Sequence, residues 1–257
     1  MALAPSGSGS PRPPAGAPEA QIITAAARPE SLTFAVLGDV GNGDSVQYDV
    51  GRQLWAARAA FPFEFVILLG DNRLGRQTSE DFVTKFQKPY EPLLQSGVRF
   101  YTCVRQHVRF VVLDTNFLDP KQIAWTEETL RNAREPWKIV YFHHPLYSNG
   151  GRHGSDVELR VVLEPMFVKY GVSVVFTSHD HIYERLTPQK GITYFVEGSG
   201  GPLRKGDLRR SETTAAGFDQ DQTFMLVEIA GDQMSFKAIS RTGVTVDSGV
   251  IGRRPTT

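Results

Sequence analysis

Four short apolar runs in this chain stop abruptly, each at a Gly-Asp pair or a histidine cluster. Residues 32–37 run into Gly38-Asp39, 65–69 into Gly70-Asp71, 138–142 into His143-His144-Pro145, and 172–177 into Ser178-His179-Asp180-His181. Short continuous apolar runs of this kind are the pattern of strands buried on both faces of a sheet. Segments with helical periodicity over 46–60, 79–94, 120–134 and 157–170 lie between them, so the pattern predicts β-α units with amphipathic helices packed on the sheet. Residues 108–113 make a further predicted strand. From residue 192 the pattern turns β-rich, with predicted strands over 223–229, 234–240 and 244–251 separated by Gly-Asp and Thr-Gly turn signals. A β-α half followed by hairpins predicts an α/β fold of two packed sheets with helices outside, an αββα sandwich.

The chemistry sits at the strand ends. In open α/β sheets ligands bind beyond the carboxyl ends of strands, and Asp39, Asp71, His143 and His179 fall there from four different strands. His179 and His181 stand two apart, so on an extended chain both imidazoles leave one face. Two carboxylates with three imidazoles form a mixed donor set suited to Zn, Mn or Fe and poor for Ca or Mg alone. Taken singly, a strand-terminal Gly-Asp is an ordinary turn or helix-cap signal. The conjunction is the informative part, since four of the 6 histidines lie in two strand-terminal clusters.

Charge and cysteine content exclude other classes. The 28 Lys and Arg residues equal the 28 Asp and Glu residues, so no global field steers the chain to nucleic acid or a membrane surface. The single cysteine, Cys103, allows neither an internal disulfide nor a thiolate-rich zinc site. No apolar stretch is long enough to span a bilayer. Residues 1–30 are rich in Pro, Gly, Ala and Ser and lack the basic start and apolar run of a secretory signal. They read as a flexible leader to a domain over 31–252, with a short tail at 253–257.

Four segments resemble, in order, metal-ligand motifs of the calcineurin-like metallophosphoesterases. They are Gly38-Asp39-Val40-Gly41, Gly70-Asp71-Asn72, Val140-Tyr141-Phe142-His143 and Ser178-His179-Asp180-His181-Ile182-Tyr183-Glu184-Arg185. The likeness is nearest to bacterial purple-acid-phosphatase-like proteins and covers residues 32–251. It implies the two-sheet metallophosphoesterase sandwich with a pair of transition-metal ions, Fe, Zn or Mn. Asp39 and His181 would hold the first ion, Asp71 would bridge, and His143 and His179 would hold the second. Such a centre grips phosphate oxygens and activates water for in-line attack, with no covalent enzyme intermediate. The implied substrate is a small phosphate ester, and the implied setting is secreted or periplasmic.

Three departures from the family pattern bear on activity. Leu74 stands where purple phosphatases carry an iron-binding Tyr, and Ser178 stands where a Gly precedes the His-x-His pair. The Gly-Asn-His-Asp or Gly-Asn-His-Glu motif is missing altogether: the chain passes from Tyr101 through Thr102-Cys103-Val104-Arg105-Gln106-His107 straight into the predicted strand at 108. The first metal position is therefore the more complete one, and His107, abutting a strand, reads as a loop or edge residue. In the Gly-rich loop after the His-His-Pro strand, His153 has the place of a substrate-contacting His in related plant enzymes, and Arg152 beside it could contact phosphate; both also suit a solvated loop. Gly198-Ser199-Gly200-Gly201 reads as a tight turn beside the cleft, because no helix pattern follows it. The expectation is a phosphoesterase weakened by the missing segment. A catalytically silent metal- or phosphate-binding relative, and a metal-free α/β domain whose strand-end Asp and His residues are caps, stay open as rivals.

Overall fold

Each of the four apolar runs forms a strand. The computed structural model describes residues 30–72, 78–100 and 107–254. β1 (Leu32–Leu37), β2 (Phe65–Leu68), β5 (Trp137–Tyr141) and β6 (Val174–Thr177) are buried almost throughout, which is why their sequences carry no alternation. β3 (Arg99–Phe100) and β4 (Val108–Val112) complete the first half, and β7 (Tyr183–Leu186), β8 (Thr193–Glu197), β9 (Thr214–Phe218), β10 (Thr223–Ala230), β11 (Gln233–Ser240) and β12 (Thr245–Gly252) the second.

Two 6-stranded sheets result, ordered β12-β11-β10-β1-β2-β3 and β4-β5-β6-β8-β7-β9. Strands β1, β2 and β3 run parallel in one sheet, and β4, β5, β6 and β8 in the other; the hairpin strands add antiparallel edges. The sheets meet face to face through aromatic rings. Phe34 stacks on Phe65 at 5.2 Å and meets Phe110 of the opposite sheet edge-on at 5.5 Å. Each fully buried ring of this kind contributes roughly 1.5–3 kcal/mol by burial. A second apolar cluster lies between the β4–β9 sheet and its helices, and a third between the other sheet and α1, giving the predicted αββα layers.

The helices α1 (Ser45–Ala60), α4 (Pro120–Asn132) and α5 (Val157–Lys169) keep the predicted places to within two residues, and an aspartate caps each one. The side chains of Asp44, Asp119 and Asp156 accept from the backbone N–H groups of Gln47, Gln122 and Leu159. The helix expected over 79–94 is not continuous. It breaks into α2 (Ser79–Phe82), a π-helical turn (Val83–Gln87) and α3 (Glu91–Gln95). Pro89 and Pro92 lack the N–H groups that a straight helix needs there.

Among the described residues no helix is long and apolar enough to cross a membrane. The expected leader, apart from Glu30, and the last three residues of the expected tail lie outside the described residues. The described part of that tail is tied down: Arg253 pairs with Asp232 at 2.7 Å, and Arg254 donates to the carbonyl of Val172 at 3.1 Å.

Candidate metal centre

The ladders continue past the strand ends and lock the predicted residues in register. Asp39 N–H donates to the carbonyl of Gly70 at 3.2 Å, and Ser178 N–H to that of His143 at 3.0 Å. Asp39, Asp71 and His179 then adopt left-handed backbone, with φ of 54°, 46° and 70°. Only two other described non-glycine residues do so, which concentrates backbone strain at this edge of the sandwich. Gly70 is required next to Asp71: its φ is 121°, and a Cβ there would fall 2.5 Å from Nδ1 of His143.

His179 and His181 do not converge through an extended chain. Asp180 N–H donates to Ser178 O at 2.9 Å and Ile182 N–H to Asp180 O at 2.7 Å, so two successive three-residue turns carry the pair. The positive φ of His179 is incompatible with extended backbone, and the turns aim both rings into the site.

The five sequence-predicted donors come together. Nε2 of His181 lies 3.6 Å and Nε2 of His143 4.0 Å from Oδ1 of Asp39, and Nε2 of His143 lies 3.7 Å from Oδ2 of Asp71. Nδ1 of His179 is 3.0 Å from Nε2 of His143. Asp39 is fully buried; its Oδ2 accepts the N–H of His179 at 2.9 Å, yet its Oδ1 has no hydrogen-bond partner. A buried acceptor left open amid imidazole nitrogens is costly unless a cation completes it. The donor set therefore fits transition-metal ions. The state of the imidazoles fits too, because metals take the neutral ring. Burial, aided by the neighbouring His143, pushes the pKa of His179 down to about 3, and burial lowers that of His144.

Side chains with no obvious sequence signal orient the cluster. Ser178, the residue in place of the family Gly, donates through Oγ to the carbonyl of Leu69 at 3.1 Å and so accepts from Nδ1 of His143 at 2.9 Å. That leaves Nε2 of His143 as the ring nitrogen with a lone pair, which faces Nδ1 of His179 in the metal-free chain, the ring orientation typical of metal-ligating histidines. Asp180, between the two ligand histidines and fully buried, holds the loop after β5. It accepts from Ser148 Oγ at 2.6 Å, from Gly154 N–H at 3.0 Å and from His153 N–H at 3.3 Å. The loop thereby sets the ring of His153 4.1 Å from that of His179. His153 is exposed, and only partial desolvation beside the His179 ring, with help from Arg204 and Arg152, lowers its pKa, so its protonated form belongs to acidic pH. Arg152 sits on the exposed rim, its backbone N–H reaching Asp207 at 3.3 Å. Behind Asp39, the Gly198-Ser199-Gly200-Gly201 segment packs so closely that a Cβ on Gly201 would fall 2.3 Å from the carbonyl of Asp39. Its backbone bonds run outward, Gly200 N–H to Gly38 O at 3.1 Å and Gly198 N–H to Ile182 O at 3.1 Å, so the segment is bent and packed between neighbours rather than the self-bonded tight turn expected.

Glu197, at the end of β8, is a fully buried carboxyl behind Asp39. Thr223 donates to one oxygen at 2.8 Å, the other has no partner, and burial pushes the pKa up to about 8. A raised carboxyl pKa contributes stability that is complete below the unfolded value, near 4.5, and is lost as pH rises through about 8. The lowered pKa of His179 acts in the opposite sense and only below about 6.5. The metal-free protein is therefore expected to lose about 2 kcal/mol between pH 6.5 and 8. Glu197→Gln should flatten that slope in denaturant titrations; an unchanged slope would show that another group titrates.

Leu74 and residues 101–106 lie outside the described residues. His107 precedes β4, whereas the site lies beyond the far end of that strand, roughly 20 Å away at about 3.3 Å per residue. It is no substitute for the missing motif histidine.

This topology, with Asp and His side chains gathered at the carboxyl ends of parallel strands, defines an α/β sandwich built around a mixed carboxylate and imidazole donor cluster. The family model for calcineurin-like phosphoesterases matches residues 21–183, and the chain belongs to that family. A purple acid phosphatase of Glycine max is 31% identical over 176 residues, covering 63% of this chain and 38% of its own length. An Fe(3+)-Zn(2+) purple acid phosphatase of Arabidopsis thaliana is 29% identical over 170 residues, covering 63% of this chain and 35% of its own. The chain thus spans well under half the length of these curated relatives. In fold it is similar to GAP50, an anchor in the inner membrane complex of Plasmodium, with a TM-score of 0.76 at 16% identity over 88% of this chain and 90% of that one. It is similar also to the purple acid phosphatase PPD1 of yellow lupin, with a TM-score of 0.75 at 17% identity over 87% of this chain and 54% of that one.

Proposed function

We propose that this chain hydrolyses phosphate mono- or diesters at a centre of two transition-metal ions, Fe, Zn or Mn, and that its turnover is impaired by the missing Gly-Asn-His segment. The observation that carries the reading is the open Oδ1 of buried Asp39, faced by Nε2 of both His143 and His181. In this reading Asp39 and His181 hold the first ion, Asp71 bridges, and His143 and His179 hold the second. When bound, such ions supply Lewis acidity toward phosphoryl oxygens and lower the pKa of water.

The chain's own residues do the rest. Asp71, its side chain 45% exposed, opens the cluster to solvent on the side where an ester must enter. Ser178 and Asp39 fix the His143 ring and the His179 backbone before any substrate arrives. His153, held by Asp180 against His179, protonates the departing alkoxide oxygen, and Arg152 on the rim contacts the phosphate. The balanced net charge supports a small ester rather than a nucleic acid as substrate. A second reading, a silent metal- or phosphate-binding relative, is favoured by the same missing segment.

The test is elemental analysis of the purified chain followed by hydrolysis of a chromogenic aryl phosphate with Mn, Zn or Fe added back. Two ions per chain and metal-dependent turnover are expected, with His181→Ala losing one binding event and His143→Ala weakening the other. Absence of metal uptake overturns the reading, and uptake without turnover selects the silent relative.

A further inference from the structure

Neighbouring residues on a strand point to opposite faces, yet His143 and His144 do not part. Strand β5 ends at Tyr141, and beyond it both rings turn toward His179. Ring centroids stand 4.9 Å apart for His143 and His144, 4.8 Å for His143 and His179, and 4.6 Å for His144 and His179. One ring nitrogen from each of the three lies within 4.8 Å of the others. The fold also treats the adjacent pair alike. Ser178, after β6, holds Nδ1 of His143 at 2.9 Å, and Thr115, after β4, holds Nδ1 of His144 at 2.8 Å. Thr115 Oγ1 accepts the backbone N–H of His144 as well, at 3.3 Å, and a hydroxyl oxygen has lone pairs for both. In each case Nε2 is left as the nitrogen with a lone pair to offer.

We infer that His144 is a further protein ligand of the second metal position, an imidazole where the family pattern has an Asn carbonyl, and that Thr115 orients it. The inference rests on the two-metal reading above. Together with His143 and His179 it makes a three-imidazole set, the donor chemistry that suits Zn and disfavours Mn, for which oxygen donors are preferred. The second position thus favours zinc over manganese.

The metal-free full chain, titrated calorimetrically with zinc and followed by visible absorption with cobalt(II), tests this. Wild type should bind two zinc ions. His144→Ala should weaken one event by at least about 100-fold, leave the other in place and alter the cobalt spectrum. Thr115→Val, which keeps the imidazole, should weaken the same event by about 10–100-fold. Thermal unfolding of the metal-free variants checks that they are folded, and if His144→Ala is not, the Thr115→Val result decides. Two zinc events of unchanged affinity in His144→Ala, or in Thr115→Val where that variant decides, overturn the inference. So does a loss that follows Asn72→Ala instead, since the amide oxygen of Asn72 is buried without a partner beside the same cluster. If wild type takes up no zinc, the two-metal reading falls and this inference with it.

Discussion

Asp39→Asn is expected to abolish uptake of the first metal ion, to lower phosphoester turnover by at least about three orders of magnitude, and to make the metal-free protein more stable. The loss follows from the several kcal/mol that metal ions contribute to such transition states, at about 1.4 kcal/mol per factor of ten. The gain follows from Oδ1, a buried acceptor with no partner in the metal-free chain. Asparagine keeps the oxygen that receives the His179 N–H and carries no charge, so the fully buried side chain costs less to hold away from water in the metal-free chain. Asparagine also tolerates the left-handed backbone at this position, so no new strain offsets the gain. Zinc should raise the melting temperature of the variant less than that of the wild type, because only the second position is left to bind the native state. A variant that keeps both its metal and its turnover would show that Asp39 is a structural cap and that the ligand assignment is wrong.

The strand ends were legible because a buried strand cannot continue past a residue that must meet solvent or a metal, so Asp39, Asp71, His143 and His179 mark their own positions. What surrounds them was not. Ser178 reads as a small substitution for Gly, and its function depends on Leu69, which approaches only once β2 and β6 lie in facing sheets. His144 reads as the spare member of a His-His pair until the turn after β5 brings it round to His179. Asp180 is legible as a residue between two ligands but not as the anchor of a loop some 30 residues earlier, because that contact is made by side-chain and backbone hydrogen bonds with no periodicity. The broken helix at 79–95 has the same cause in reverse: the apolar spacing is helical, and prolines override it.

Restoring the missing motif is expected to raise turnover by at least about 100-fold at saturating metal. In the family pattern that motif supplies both an Asn ligand and an imidazole at the leaving group, and a positioned acid alone contributes about 10²–10⁴ in rate. The graft, Gly-Asn-His-Asp between Tyr101 and Thr102, enters at the right edge. β3 runs parallel to β2, pairing Arg99 with Phe65 and Phe100 with Val66, so a segment leaving the carboxyl end of β3 emerges on the side where Asp71 follows β2. An insertion before His107 and β4 would emerge on the opposite edge. The graft should also release His144 from its duty, because a restored Asn and His144 compete for one position on the second metal. His144→Ala should then be nearly silent in the grafted chain and damaging in the unmodified one, a non-additivity that independent sites do not show. Equal turnover with and without the graft, at equal metal content, would mean that His153 and His144 already perform both tasks and that the chain is not impaired.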